Sequence, residues 1–227
     1  MTGIYFLGII FAVIGMIISA RLKSKFKEYA KIPLESGLSG AEIAEKMLHD
    51  NGIYDVQIIH VGGRLTDHYD PSKKTVNLSE DVYYGRNAAA AAVAAHECGH
   101  AVQHATAYSF LQFRSAMVPM LSAVSGIMPI FLMIGMFVIY SSGNATLLTI
   151  GVAMFAVATL FSFITLPVEF DASNRALKWI KDNGVVTNSE FAMSKDALWW
   201  AAMTYVAAAL GMLAQLLYYI SILNRRD

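Results

Sequence analysis

The pentapeptide His96-Glu97-Cys98-Gly99-His100 closes the alanine-rich run Ala88 to Ala95 and has the form HExxH. On a helix the two histidines stand one turn apart on one face, so two imidazole nitrogens can converge on a single metal ion. Glu97 lies one residue further round, where a carboxylate can take a proton from a water at the metal without being a ligand itself. Two His and one Glu in this register predict zinc hydrolase chemistry with one Zn²⁺ per chain; a purely structural zinc site has no need of Glu97. Cys98, about 200° round the helix from His96, is expected to face away from the metal and pack as a small residue.

A catalytic zinc takes three protein ligands and keeps one position open for water. The metzincin pattern would require glycine at position 103 and histidine at position 106, and this chain has Gln103 and Thr106, which excludes that class. His104 stands one more turn along the same face. Three consecutive turns of a straight helix cannot wrap three donors round one tetrahedral ion, so His104 is expected to pack or to orient a ligand. The other source is Pro167-Val168-Glu169-Phe170-Asp171-Ala172-Ser173-Asn174-Arg175, where a helix is predicted to start after Pro167. Glu169 is the expected third ligand, completing a His/His/Glu set, and Asp171 is its competitor. A donor for the developing oxyanion is also needed, and His68, Tyr69, His104 and Arg175 are candidates by their chemistry.

The elements that must position these residues sit in a membrane-like composition. The 227 residues are 56% hydrophobic and 15% charged, with mean hydropathy +0.48, which predicts an integral membrane protein. A net charge of zero and no basic stripe with interleaved aromatics give no nucleic-acid partner. One cysteine excludes an internal disulfide framework. Gly3 to Ala20 is an uncharged apolar run followed by Arg21, Lys23, Lys25 and Lys27, read as a retained anchor with its basic flank in the cytoplasm. Ala116 to Tyr140 and Ala145 to Leu166 are two further spans, the first with kinks expected at Pro119 or Pro129; Leu198 to Leu223 is a fourth. Pro167 to Asp196 carries Arg175, Lys178, Lys181 and Lys195, which assigns it to the cytoplasmic side together with the HExxH helix. Four spans then leave Asn224-Arg225-Arg226 outside, against the charge rule.

Between the anchor and the HExxH helix the chain reads as a small water-soluble α/β layer. Ser39 with Glu42 forms a capping box, Ile43, Ala44, Met47 and Leu48 form an apolar stripe, and Asn51-Gly52 is a stop signal. Strands are expected at Asp55 to Val61, Arg64 to Tyr69 and Thr75 to Leu78, turning at Gly62-Gly63 and Asp70-Pro71, in a short β-meander. An exposed strand edge beside the metal helix can hold an extended peptide. The metal helix itself is expected from Asn87 to about Ala107, at the membrane surface, since its apolar run is too short to span and Arg86, Gln103 and His104 flank it.

Three stretches carry a resemblance: Leu65-Thr66-Asp67-His68-Tyr69-Asp70-Pro71, Val93-Ala94-Ala95-His96-Glu97-Cys98-Gly99-His100-Ala101-Val102-Gln103 and Pro167-Val168-Glu169-Phe170-Asp171-Ala172-Ser173. They resemble the YugP-like, membrane-bound neutral zinc metallopeptidases over almost the whole chain. The layout is more distantly similar to the HtpX heat-shock proteases and the CAAX prenyl proteases, in which HExxH is followed by two spans and a glutamate in a Glu-Phe-x-Ala-Asp type motif. That resemblance implies Glu169 as the third ligand. The chain departs from the distant group at Ser173, where the aspartate would stand, so Asp171 or Ser173 would have to take over the bond to a zinc histidine.

The expected fold is a mainly α membrane protein with about four transmembrane helices and a small α/β, gluzincin-like cytoplasmic domain. The expected parts are an anchor (1–22), a cytoplasmic metallopeptidase part (23–115), a transmembrane hairpin (116–166), a cytoplasmic third-ligand segment (167–197) and a C-terminal span (198–223). The expected activity is a multi-pass, cell-membrane zinc metalloendopeptidase working on peptide or membrane-protein substrates at the cytoplasmic face of the bilayer. The alternatives are an intramembrane, site-2-like protease and a non-catalytic metal-binding scaffold. No residue pattern sets an oligomeric state.

Overall fold

The computed structural model describes residues 2–224; Met1, residues 225–227 and the side chains of residues 2–7 lie outside the described residues. In chain order the elements are α1 (Thr2–Tyr29), α2 (Gly40–Asp50), β1 (Gln57–Val61), β2 (His68–Asp70), β3 (Thr75–Ser79) and α3 (Glu80–Tyr83). Then come α4 (Ala88–Ala105), α5 (Ser109–Ser125), α6 (Met128–Ser142), α7 (Thr146–Asp182) and α8 (Asn188–Asn224). The chain divides into two compact units. One joins Ile18–Leu111 with Pro167–Met203; the other joins Gln112–Leu166 with the chain from Thr204 onward and the N-terminal stretch up to Ile17.

The first unit is built on α2 and α4. Ser39 caps α2: its Oγ accepts from the Glu42 N–H at 3.3 Å, and Glu42 Oε2 accepts from the Ser39 N–H at 2.7 Å. Asn51 ends the helix and Gly52 follows at φ 70°. Ile43, Ala44, Met47 and Leu48 are buried in one core cluster with the alanines of α4. Cys98 lies in this interface, donating to Ala44 O at 3.6 Å, and burial pushes its thiol far up, so it stays protonated.

The sheet is not a meander. Its order is β1-β3-β2, with β1 parallel and β2 antiparallel to β3. All five residues of β3 are buried and Val76 and Leu78 enter the core, so β3 takes the centre, where both its edges are paired. Gly62-Gly63 therefore makes no hairpin. The chain instead passes through a loop with Leu65 at φ 58°, fastened where Asp67 accepts from Ser79 N–H at 2.7 Å and Ser79 Oγ at 3.1 Å. This loop carries β2 to the far side of β3 and shortens it to three residues, against the expected Arg64 to Tyr69. Among the described residues, the edge of β2 away from β3 pairs with no other strand and lies beside α4.

Two further expectations are corrected. A helix was predicted to start after Pro167, but α7 runs unbroken through it from Thr146. An interior proline costs about 3 kcal/mol. After Pro167, Val168, Ala172, Ala176 and Ile180, spaced by four, form a wholly buried ridge on one face. Likewise α8 begins ten residues before the expected Leu198. Thr187 and Glu190 cap it, with the Thr187 N–H donating to Glu190 Oε2 at 2.7 Å and the Glu190 N–H to Thr187 Oγ1 at 3.3 Å.

In the second unit α6 and α7 pack so closely that a Cβ on Gly135 would lie 2.5 Å from the backbone nitrogen of Leu148. The expected span Ala116 to Tyr140 is two helices, α5 and α6, bent by 49°. The break falls at Gly126-Ile127, just before Pro129 in the first turn of α6; Pro119 stays inside α5. Among the described residues, α7 and α8 are long and apolar enough to cross a membrane, with best-window hydropathies of 2.3 and 1.9. The bent pair α5–α6 passes the same test taken together. The expected anchor at Gly3 to Ala20 falls in α1, the side chains of its first residues lying outside the described residues, and the basic end Arg225-Arg226 lies wholly outside them.

The Ser39–Glu42 cap predicts a pH effect. The Ser39 N–H and hydroxyl, then Arg86, hold the Glu42 carboxyl below its ordinary value. A carboxylate lowered in the folded state stabilises above its unfolded pKa, and that stabilisation is lost as pH falls through the folded one. Ser39→Ala should lower the unfolding midpoint of the chelator-treated protein by an amount corresponding to about 1 kcal/mol at pH 7. The gap to wild type should narrow in scans taken towards pH 3.

Candidate metal centre

His96 and His100 project from one face of α4 with ring centroids 4.8 Å apart, as one-turn spacing requires. Glu169 comes from α7 and meets them: its Oε2 lies 3.4 Å from His96 Nε2 and 3.6 Å from His100 Nε2. Among the described residues, these are the three whose ligand atoms converge, all within 4.8 Å of one another. Glu169 is therefore no solvated carboxylate at a helix start; it is buried in mid-helix. Burial alone would push its carboxyl up, but hydrogen bonds from His100 and His96 outweigh that and hold it well below the usual carboxylate range. For His100 the balance also goes against burial. Burial lowers its pKa, while Glu169, Glu97 and Gln103 raise it further, so the pocket favours positive charge at the facing nitrogens.

The outer nitrogens are engaged. His96 Nδ1 lies 3.1 Å from Ser173 Oγ and His100 Nδ1 3.0 Å from Gln103 Oε1. Gln103 is wholly buried, and its Nε2 donates to Val168 O at 2.7 Å and to Asp171 Oδ2 at 2.8 Å. With both amide protons directed at α7, Oε1 can only accept, so His100 donates from Nδ1, and the Nε2 facing Glu169 is the nitrogen that would bind a metal once it gives up its proton. Two imidazole Nε2 atoms facing one buried carboxylate form a donor set that suits zinc.

Glu97 stands beside the three. Its Oε2 accepts from the backbone N–H of Tyr69 at 3.0 Å, so the open edge of β2 adjoins this carboxylate. Tyr69 Oη is 2.8 Å from His104 Nδ1, and burial pushes its phenol up, leaving it a neutral donor. Ser173 rather than Asp171 touches a histidine of the cluster directly; Asp171 reaches His100 only through Gln103. Arg175 Nε donates to Asp171 Oδ2 at 2.6 Å and its guanidinium lies over the Tyr108 ring, which turns it away from an oxyanion role. His68 is exposed and engaged with its own loop at Thr66 O, 2.7 Å away. Sequence reasoning missed Gln103 and the Tyr69 N–H. The first could have been found from its place three residues after His100, on the same face.

This geometry agrees with what comparison with known proteins finds. Residues 4–224 match the family described as "Putative neutral zinc metallopeptidase", and the chain belongs to that family. It is 45% identical over 208 residues to the "Putative membrane protease YugP" of Bacillus subtilis (strain 168), covering 91% of each chain. No solved structure matches.

Gly99 sets the spacing of the two ligand-bearing helices. A Cβ there would sit 2.5 Å from the carbonyl oxygen of Ala172, between Glu169 and Ser173 in the chain. Gly99→Ala should destabilise the protein by about 1–3 kcal/mol, as an overpacked core does, and loosen metal retention. Unfolding midpoints and zinc content after gel filtration would check both effects.

Proposed function

We propose that this protein is a multi-pass membrane zinc metalloendopeptidase that hydrolyses peptide bonds at the cytoplasmic surface of the cell membrane. One Zn²⁺ per chain is held by His96, His100 and Glu169. The observation that carries this reading is the convergence of those three donors with Glu97 beside them and outside the ligand set. Family membership and the membrane-protease relative support it.

Zinc, when bound, supplies the Lewis acidity that brings a water towards a pKa of about 7 and polarises a carbonyl. Glu97 would take a proton from the attacking water and pass it to the leaving amine. The Tyr69 N–H holds one carboxylate oxygen of Glu97 in place for both transfers. Tyr69, whose backbone N–H meets Glu97 and whose hydroxyl pairs with His104, is the side chain we assign as oxyanion donor. An extended substrate segment, from a peptide or a membrane protein, would lie along the open edge of β2, exchanging main-chain hydrogen bonds with it. The basic residues after the N-terminal apolar run and those of Pro167 to Asp196 favour the cytoplasm, and four spans in the bilayer accommodate both.

Metal analysis and casein-type proteolysis on the same samples test the assignment. Wild type should carry one zinc per chain and Glu169→Ala should lose it, whereas Asp171→Ala should still fill at saturating zinc. Glu97→Gln should keep the ion and lose about 10²- to 10⁴-fold in turnover. Undiminished cleavage by metal-loaded Glu97→Gln would reject the general-base role.

A further inference from the structure

We propose that Gln103 is a positioning residue for the metal centre, an amide clamp that fixes the tautomer of His100 and locks the α7 segment carrying Glu169 to α4. The proposal rests on the reading of His96, His100 and Glu169 as metal ligands. Its substance is that one uncharged side chain serves both halves of the site. Gln103 has no exposed surface. One of its amide protons goes to the carbonyl of Val168, the residue before Glu169, and the other to Asp171, two residues after it. The amide cannot flip without turning its oxygen towards a carbonyl and a carboxylate, so Oε1 is held facing His100 Nδ1 at 3.0 Å.

Ser173 does not do the same for His96. A hydroxyl rotates and can either donate or accept, so its 3.1 Å contact leaves the tautomer of His96 open. His100 is thus the ligand whose orientation is fixed before metal arrives, and His96 the one that adapts. The clamp is itself anchored. The same Asp171 Oδ2 that accepts from Gln103 accepts from Arg175 Nε at 2.6 Å, and the Arg175 guanidinium lies over the Tyr108 ring at 5.8 Å. Asp171 Oδ2 accepts from both side chains, which holds the Gln103 amide in one orientation with its oxygen towards His100 Nδ1.

The test measures zinc affinity by chelator competition and the d–d absorption of the Co²⁺-substituted protein, with unfolding of the chelator-treated protein as the check on folding. Gln103→Leu should bind zinc about 10- to 100-fold more weakly than wild type and show an altered Co²⁺ spectrum. Gln103→Glu should also bind weakly, because two carboxylates then face each other. Gln103→Glu combined with Asp171→Asn restores donor and acceptor at that contact and keeps an acceptor for His100, while the contacts to Val168 O and Arg175 stay impaired, so it should recover part of the affinity lost in Gln103→Glu. A side chain that merely fills space would show no such recovery. Equal affinity in wild type and folded Gln103→Leu would overturn the proposal. If Gln103→Leu does not fold, the exchanged pair decides, and no gain over Gln103→Glu alone would overturn it. His100→Ala separates this from the underlying reading: zinc binding that survives that change removes the ligand assignment and the clamp with it.

Discussion

The candidate metal centre depends on how closely α4 and α7 approach. Two imidazoles on one helix and a carboxylate on another form a site only if the helix surfaces touch, and at the crossing they touch through backbone, with Gly99 against the carbonyl of Ala172. Any side chain at that point would hold the helices apart where the donors must meet. The small residues around the contact serve the same end. The alanines of α4 and Ala172 and Ala176 on α7 allow close approach, and the buried ridge from Val168 to Ile180 makes that approach favourable.

Close approach also encloses polar atoms, and each must find a partner. Among the described residues no buried side-chain nitrogen or oxygen lacks one. At the site this is achieved by a directional chain from Arg175 through Asp171 and Gln103 to His100, with Ser173 serving His96. An unpaired amide or imidazole here would cost about 1–3 kcal/mol, so the network holds the helices in register as well as orienting the ligands. Glu97 belongs to a different surface. It is held by the edge of β2, where the backbone N–H of Tyr69 donates to one of its carboxylate oxygens.

The continuity of α7 through Pro167 links membrane-like and polar parts of the chain. The apolar stretch before the proline and the stretch carrying Glu169 after it belong to one helix. Pro167 removes one backbone donor but does not end the helix, since the residues after it bury a full ridge.

Local chemistry alone determined much of this protein. HExxH on an alanine run, the Ser39–Glu42 box, the Asn51-Gly52 stop and the long apolar runs are legible because helix periodicity, capping and hydrophobicity are properties of neighbouring residues. The pairing of Glu169 with the histidines was within reach because few carboxylates stood in a stretch expected on the same side. Tertiary structure decided what neighbours do not encode. It placed β3 between β1 and β2, because the most buried strand takes the centre regardless of chain order. It chose Ser173 over Asp171 as the partner of a histidine and brought Gln103 into the site, because which polar groups meet across a buried helix crossing depends on the rotation and separation of the two helices. That rotation is fixed by packing between segments far apart in the chain, and the order of residues along either segment does not contain it.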